Sequence, residues 1–284
     1  MQSISLSDIF SWRITSKFNK DVVFLLTGER GSGKSVSLLW IAVKTAEKIA
    51  AKKGGTWQDY FSMENVAIID PKELMQKMQV LKPYNIYLLD DAGAGAWAAR
   101  SHQTRDSAFL NHILQTCRTQ NAGIFISTPD LFLIDKIPRN LASFVGEVAE
   151  SHHDKGYNLL KVFRTERLRR EGKTLYSHLQ FYTPQGKSKI IRWRTHMPPD
   201  ELLEEYNRIR EKRAREMMHT AIEEPEDEGK GKVAQKWRKL AEEYGGRIAE
   251  LSDLGKSIKE ISQVTGLSEY YVKNIRELAV IGVN

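Results

Sequence analysis

The chain is predicted to fold as an α/β protein, with a parallel sheet covered by helices on both faces. Short apolar runs with the composition of buried strands recur through its first half, at 22–27, 67–70, 85–90, 124–128 and 144–148. The intervening segments include amphipathic stretches of helical periodicity, notably residues 107–120. Alternation of strand and helix implies right-handed crossovers, and therefore a parallel sheet.

Length and composition leave room for more than one domain. The chain has 284 residues, of which 41% are hydrophobic and 28% charged, enough for a core of ordinary size and one or two smaller units. The single cysteine, Cys117, excludes a disulfide framework and a cysteine metal site, and we interpret it as inert filling. No apolar run approaches the ~20 residues that span a bilayer, and no secretory signal opens the chain, so we expect a cytoplasmic protein without a membrane span. The net charge of +7 favours a polyanionic partner.

Residues 28–35 read Gly-Glu-Arg-Gly-Ser-Gly-Lys-Ser and form a complete G-x-x-x-x-G-K-S loop between a strand and a helix. The glycines let backbone N–H groups turn inward around an anion, and the following helix directs the positive end of its dipole at the same point. In such a loop the lysine bridges the β- and γ-phosphates and the last hydroxyl completes Mg²⁺ coordination. The sequence therefore predicts a site for ATP and Mg²⁺, built from Gly28, Gly31, Ser32, Gly33, Lys34 and Ser35.

The run at 85–90 leads into a second nucleotide signature, because it ends in the two carboxylates Asp90 and Asp91. Ligands of parallel sheets sit at the carboxyl ends of the strands. Asp90 is then placed to hold the Mg²⁺ shell through water, and Asp91 to orient or deprotonate an attacking water. The alternative is that the paired aspartates merely open a loop before Gly93 and Gly95.

The loop, the strand ending in Asp90-Asp91 and a later strand ending in Ser127-Thr128 together resemble the additional-strand P-loop ATPases. That group contains AAA+ proteins, RecA-like motors and FtsK/HerA-type DNA translocases. The GSGKS core is common among the translocases, and residues 90–147 look most like ATPases of archaeal and viral mobile elements. The resemblance covers roughly residues 20–150 and implies hydrolysis of ATP.

The resemblance also implies roles for two further positions. Thr128 or Ser127 matches the polar sensor at the end of the strand beside the two-carboxylate strand, where it would bond the lytic water or the γ-phosphate. Arg139 lies about where AAA+ proteins place an arginine finger that reaches the nucleotide of a neighbouring subunit, which implies a homo-oligomer such as a ring. The arginines that compete for this role are Arg100, Arg105 and Arg118.

One position departs from the family pattern. The family usually has glutamate after the metal-binding aspartate, and Asp91 is shorter by one methylene. We therefore expect hydrolysis that is slow or that needs a partner to complete the site.

The chain becomes strongly basic after residue 150. Alternating, strand-like runs at 160–168, 175–182 and 189–194 are joined in part by a Pro-Gly turn at 183–186, which predicts a β-hairpin. Basic and aromatic residues interleave here, so this region is predicted to track a DNA backbone, with Arg192 and Arg194 among the contacts. The alternative is a solvated hairpin face whose aromatic residues pack on the core.

The last part of the chain carries a helix-turn-helix pattern. Ser257 opens a short helix whose Ile258, Ile261 and Val264 are predicted to face inward, and Gly266 ends it. The next helix, 268–278, is interpreted as a recognition helix, and a preceding helix at 233–244 or 247–254 would complete the domain. Small bundles that bind proteins share this pattern, which is the alternative. The predicted DNA contacts are Ser268, Tyr270, Lys273, Asn274 and Arg276.

These observations predict four parts, namely a P-loop ATPase core at 1–150, a basic hairpin and helix extension at 151–219, a charged linker at 220–232 and a helix-turn-helix domain at 233–284. The leading functional hypothesis is an oligomeric ATPase that acts on DNA, as a translocase, a packaging motor or another mobile-element ATPase. The alternative is a non-motor ATP switch or loader that controls a helix-turn-helix regulator with little turnover.

Overall fold

The computed structural model describes residues 4–18, 20–79, 82–92, 120–134, 136–168, 173–183, 186–223, 243–269, 271–273 and 275. The chain divides into two compact units, Met1–Arg213 and Ala214–Asn284. The predicted helix at 107–120, with Cys117, lies outside the described residues except for its last position, and most of the predicted linker lies outside them as well.

Within its described residues, the first unit contains five α-helices, of which the last continues past the boundary of the unit, and ten strands. The helices are α1 (Leu6–Ile14), α2 (Lys34–Lys53), α3 (Pro71–Met78), α4 (Lys136–Leu141) and α5 (Asp200–Glu223). The strands are β1 (Val22–Thr27), β2 (Val66–Ile68), β3 (Ile86–Asp90), β4 (Gly123–Thr128), β5 (Phe144–His152), β6 (Tyr157–Leu168), β7 (Lys173–His178), β8 (Gln180–Thr183), β9 (Gly186–Lys189) and β10 (Trp193–His196). Across the described residues, no helix has the length and apolarity needed to cross a bilayer.

The main sheet has the strand order β10-β6-β5-β1-β4-β3-β2, and β7 also pairs with β6. Strands β1 to β5 run parallel, whereas β6 pairs antiparallel with β5, β7 and β10. Strand β1 lies between β4 and β5, and β3 follows on the far side of β4. Because parallel strands end at the same edge of a sheet, the ends of β1, β3 and β4 meet there. The predicted α/β class is confirmed.

Both faces of the sheet are covered, as the sequence predicts. Successive side chains of a strand point to opposite faces. Phe24 of β1 accordingly packs in one buried cluster with residues of α1 and α2, whereas its neighbour Leu25 packs in a second cluster with residues of α3. The first cluster includes Phe10 of α1, whose ring centroid lies 5.2 Å from that of Phe24. Two separate cores therefore hold the sheet, one on each face.

Several element boundaries differ from the sequence-based expectation. The strand predicted at 67–70 ends at Ile68, because Ile69 has a positive φ of 66° and Asp70 caps α3 by accepting from the Lys72 N–H. The strand predicted at 144–148 continues to His152, because β6 pairs antiparallel with β5 from Phe144 to His152. The division predicted after residue 150 falls inside β5, and residues 151–213 belong to the same compact unit as the first 150.

The basic region is divided into more strands than its sequence indicates. The run predicted at 175–182 is split at Leu179, which is 8% exposed and packs in the first core, so β7 and β8 belong to different sheets. Strands β8 and β9 form a two-stranded antiparallel sheet in which Thr183 is opposite Gly186. The run predicted at 189–194 is divided between the end of β9 and the start of β10.

The second unit has one small core. Ile248, Ile261, Val272 and Ile275 are buried together, contributed by the helical residues 243–253, by α6 (Ile258–Thr265) and by helical residues near 271–275. Ser257 caps α6 through a capping box, and Gly266 ends it in the left-handed conformation with a φ of 72°. Val264, predicted to face inward, is 55% exposed, because the buried face of α6 is centred on Ile261.

Candidate functional site

The glycine-rich loop connects the end of β1 to the start of α2. Gly31 and Gly33 have φ values of 76° and 81°, in the left-handed region that glycine adopts without a steric penalty. Space is also short at Gly33, because a Cβ there would lie 2.4 Å from the Nδ2 atom of Asn158 on β6. Asn158 Nδ2 in turn donates to the Gly33 carbonyl at 3.3 Å and to Ser37 Oγ at 3.0 Å. The antiparallel part of the sheet therefore supports the loop from behind.

Lys34 extends along the inner side of this loop. Its Nζ atom donates to the carbonyl oxygens of Gly28 at 2.9 Å and Glu29 at 2.8 Å, and the residue is only 6% exposed. Burial lowers the pKa of Lys34 below its ordinary value, while the charges of Asp91 and Asp90 raise it. Within the described part of the chain, no carboxylate lies within ion-pair distance of this ammonium group, so its charge is available to a phosphate.

Asp90 is the most enclosed charged group of the site, since it is 0% exposed at the end of β3. Its carboxylate accepts hydrogen bonds from three hydroxyl groups. Ser35 Oγ lies 2.9 Å from each carboxylate oxygen, Ser127 Oγ donates to Oδ1, and the Tyr206 hydroxyl donates to Oδ2. A buried carboxylate is tolerated when such donors replace water, so these contacts also fix its position.

Of the two residues proposed as the polar sensor, Ser127 faces the carboxylates. Its hydroxyl donates to Asp90 and accepts from the backbone N–H of Asp91 at 2.9 Å. Thr128 instead donates its hydroxyl to the carbonyl of Asp130 at 2.9 Å, in the loop that follows β4. Successive side chains of β4 point to opposite faces of the sheet, so only one of the two hydroxyls can lie on the face that carries the Asp90 carboxylate.

Asp91 leaves the end of β3 with a positive φ of 52° and lies in the wall of the neighbouring cavity. Burial raises the pKa of this carboxyl above its ordinary value, and the charge of Asp90 adds to the rise. The positive charges of Arg210, Lys34 and Arg30 oppose it. The Arg210 guanidinium is the nearest of these among the described ion pairs, with its Nη2 atom 3.9 Å from Asp91 Oδ2.

The sequence did not reveal that α5 takes part in this site. Tyr206 and Arg210 lie one helical turn apart and reach Asp90 and Asp91 respectively. Burial and the charge of Asp90 raise the pKa of Tyr206, so its hydroxyl stays protonated and donates. From the sequence, Tyr206 is one apolar-face residue of an amphipathic helix. The i, i+4 spacing indicates a shared face, but no sequence signal identifies the carboxylates that this face meets.

Lys34, Asp91 and Arg210 are among the residues that line a cavity of 510 Å³ beside the loop. Backbone amides, a helix N-terminus and cations on its wall suit an anion such as a phosphate chain. The hydroxyl of Ser35 and the carboxylate of Asp90 are the oxygen ligands that Mg²⁺ takes, and they lie together at the edge of the sheet, so the residues fit the metal predicted from the sequence. The lining residues are Arg30, Gly31, Gly33, Lys34, Ser35, Val36, Ile69, Asp91, Pro129, His153, Tyr206, Asn207 and Arg210.

Arg139, predicted as an arginine finger, lies on α4 and does not line this cavity. Its guanidinium carbon is 5.1 Å from the ring centroid of Phe132, whose side chain is 74% exposed. A position away from the site of its own subunit agrees with a role in trans, which stays a prediction. The competing Arg100, Arg105 and Arg118 lie outside the described residues.

The predicted DNA contacts are described in part. Arg192 forms an ion pair with Glu150, and the Arg194 guanidinium carbon lies 4.5 Å from the ring centroid of Tyr157. Both arginines are exposed. In the second unit, Ser268 and Lys273 are exposed, whereas Tyr270, Asn274 and Arg276 lie outside the described residues.

No protein-family model matches this chain, and no curated protein matches it. Among solved structures, it is similar to the N-terminal domain of zonular occludens toxin from Neisseria meningitidis, with 20% identity over 56% of this chain and 94% of that chain and a TM-score of 0.33. The genome packaging NTPase of Sulfolobus turreted icosahedral virus 2 in complex with ATP-gammaS is 11% identical over 55% of this chain and 97% of that chain, with a TM-score of 0.34. The flagellar accessory protein FlaH from Methanocaldococcus jannaschii is 14% identical over 66% of this chain and 97% of that chain, with a TM-score of 0.31. Likenesses this distant do not transfer the activities or partners of these proteins to this chain.

Proposed function

We propose that this chain binds Mg·ATP and hydrolyses it to ADP and phosphate. The observation that carries the proposal is the convergence of the loop, Lys34, Ser35 and Asp91 around one cavity, with the buried carboxylate of Asp90 hydrogen-bonded to Ser35. These groups come from two strand ends, those of β1 and β3, and each has the chemical character that phosphoryl transfer requires. We extend the proposal to action on DNA because other parts of the chain expose basic residues.

The phosphate chain of ATP would lie in the loop, where the amides and the N-terminus of α2 face it and Lys34 adds a positive charge. Ser35 would ligate Mg²⁺ directly and Asp90 through water. The metal, when bound, supplies positive charge to the β- and γ-phosphate oxygens. Asp91 would orient or deprotonate the attacking water. Ser127 would fix the position of Asp90 relative to Asp91, because its hydroxyl is hydrogen-bonded to the Asp90 carboxylate and to the Asp91 backbone N–H.

Lys34→Ala is the direct test of nucleotide binding, measured by isothermal titration calorimetry with Mg·ATP. We expect binding to be lost, because the variant removes the buried ammonium group that the loop encloses. Lys44→Ala is the matched control, since Lys44 lies on the same helix, is 42% exposed and pairs with Glu47 at 2.8 Å. Unchanged affinity of the Lys34 variant would refute the assignment of the loop.

The proposed action on DNA is supported by exposed cations on the antiparallel strands and on the segment between β9 and β10. Arg164, Arg167, Lys189, Arg192 and Arg194 are all exposed there. The partners seen for some of them are exposed as well, as in the ion pair of Arg164 with Glu166 at 3.7 Å. Such surface pairs contribute little free energy, so phosphates of DNA can replace them. The small helical core of the second unit supports the same proposal, with the helix-turn-helix tail choosing or anchoring the site.

A DNA motor should hydrolyse ATP faster when duplex DNA is added and should assemble into rings with nucleotide. Deleting residues from Lys232 onward should weaken sequence-selective DNA binding and spare basal ATPase activity. Identical operator affinity without the tail would remove its proposed role. Rates are measured by phosphate release, and assembly by light scattering coupled to size exclusion.

The alternative is a non-motor ATP switch or loader that controls a helix-turn-helix regulator. The short Asp91 side chain, in place of the glutamate usual in the family, favours it, because a carboxylate set further back activates water less well. Negligible turnover by a monomer or dimer, without stimulation by DNA, would select the switch over the motor.

A further inference from the structure

The contact between α5 and the cavity has no role in the hypotheses drawn from the sequence. Tyr206 is 1% exposed and donates to Asp90, while Arg213 forms an ion pair with Glu73 of α3 at 2.6 Å. These two contacts fasten the helix to the core on both sides of Arg210. The backbone of Arg210 is thereby held at a fixed place beside the nucleotide loop.

The side chain of Arg210 points toward that cavity and lines it together with Lys34 and Asp91. Its Nη2 atom is 3.9 Å from Asp91 Oδ2, which is within ion-pair range but longer than a hydrogen bond. The side chain is 54% exposed, so the guanidinium can reorient at little cost.

We propose that Arg210 contacts the terminal phosphate of the nucleotide bound to its own subunit and stabilises the charge that develops as the phosphoryl group is transferred. This inference rests on the proposed ATPase function. A group near Asp91 is also near the γ-phosphate, because Asp91 must touch the water that attacks it. The planar fork of a guanidinium matches two phosphate oxygens, which an ammonium group cannot do.

The step balances with the groups present. The oxygen of water bonds to the γ-phosphorus, and the bond from that phosphorus to the β–γ bridging oxygen breaks with its electron pair remaining on ADP. The water proton passes to Asp91 and then to solvent. Arg210 transfers no proton, because it stays charged throughout. Its positive charge stabilises the negative charge that spreads over the phosphoryl oxygens in the transition state.

Tyr206 is a positioning residue in this scheme. Its hydroxyl joins α5 to the carboxylate proposed to hold the metal shell, so the distance between Arg210 and the phosphates is set by the same hydrogen bond. An arginine supplied in cis makes each subunit competent without a neighbour. A finger such as Arg139 would then add to the rate rather than be required for it.

The test compares Arg210→Ala with Arg208→Ala, a matched control that removes an exposed arginine from the same helix and does not line the cavity. We expect Arg210→Ala to lower kcat on the order of 10³-fold, as for arginine fingers. The kcat of Arg210→Lys should lie between that of Arg210→Ala and that of the wild type. Calorimetry with Mg·ATP and Mg·ADP supplies a readout besides turnover. Arg210→Ala should lose the preference for ATP over ADP and keep its ADP affinity, whereas Arg208→Ala should change neither.

A mixing experiment separates action in cis from action in trans. Arg210→Ala subunits have an intact loop, and Lys34→Ala subunits have an intact arginine but no nucleotide. No recovery of hydrolysis at any mixing ratio is the expected result, and recovery at shared interfaces would overturn action in cis. Unchanged kcat and nucleotide preference in Arg210→Ala, with wild-type protein that binds and hydrolyses ATP, overturns this inference alone. Wild-type protein that binds no nucleotide overturns the proposed function as well.

Discussion

Removing the hydroxyl of Tyr206 isolates the energy of one hydrogen bond to a buried charge. Tyr206→Phe keeps the ring, which is 1% exposed and packs in the first core, so packing changes little. Asp90, at 0% exposure, is left with the hydroxyls of Ser35 and Ser127 as donors. A hydrogen bond to a charged group contributes about 1.5–3 kcal/mol, and we expect the free energy of unfolding to fall by that amount. For a unit of this size, Tm should fall by about 3–12 °C.

The assay is urea denaturation followed by circular dichroism, with a thermal scan on the same samples. Tyr176→Phe is the matched control, because that residue is 52% exposed on β7 and its loss of a hydroxyl should change stability by less than about 0.5 kcal/mol. Tyr206→Phe should also require more Mg²⁺ for half-maximal ATP binding, since the carboxylate of Asp90, which we propose holds the metal, becomes less ordered. A variant with the same stability and the same Mg²⁺ requirement as wild type would refute the inferred coupling of α5 to Asp90.

Gly33→Ala should destabilise the protein by about 2–5 kcal/mol, because the left-handed φ is strained for alanine and the new Cβ would lie 2.4 Å from a side-chain amide of β6. Gly31→Ala, with a similar φ but no atom within 4 Å of the new Cβ, should cost about 1–2 kcal/mol, and equal losses in urea denaturation would contradict the packing argument. Burial opposes ionisation of Asp8, but hydrogen bonds from its N-cap serine and a lysine of α2 outweigh it and lower the pKa of Asp8 from 3.8 to about 2. Because the folded pKa is depressed, this carboxylate stabilises the fold above its ordinary pKa and the contribution is lost as pH falls toward about 2. The side chain is 37% exposed, so solvent screening keeps the effect below about 1 kcal/mol. Asp8→Asn should therefore flatten the dependence of unfolding free energy on pH between about 4 and 2, and a parallel curve would count against this account. Ser127→Ala should slow hydrolysis, whereas Thr128→Ala should leave Asp90 in place and slow it less; the reverse order in phosphate-release assays would restore Thr128 as the sensor.

The parts predicted well from sequence are those whose chemistry is local in the chain. Eight consecutive residues, 28–35, contain every group of the proposed anion site in the loop, and short apolar runs locate the strands. Asp90 and Asp91 could be proposed as site carboxylates from the sequence, because they directly follow an apolar run. Parallel pairing then brings these separate strand ends to one edge, so the α/β class and the place of the site follow from pattern alone.

The division after residue 150 and the choice of Thr128 depend on contacts that no local pattern contains. Strand β6 pairs with β5 from Tyr157 to Arg164, which joins the basic region to the rest of the first unit. Side-chain alternation within β4 became decisive only when β3 was known to be its neighbour. In each case, the contact joins residues that are far apart in the sequence, so no local pattern contains it.

The sequence by itself determined which residues form the proposed phosphate loop and which are proposed as metal ligands beside it, because those groups are set by the order of covalently linked residues. Only the tertiary structure decided what surrounds them. Tyr206 is 116 residues from Asp90 along the chain, and Asn158 is 125 from Gly33. Hydrogen bonds across such separations form only after α5 and β6 have packed on the sheet, since packing fixes which distant donors come within about 3 Å of a buried acceptor.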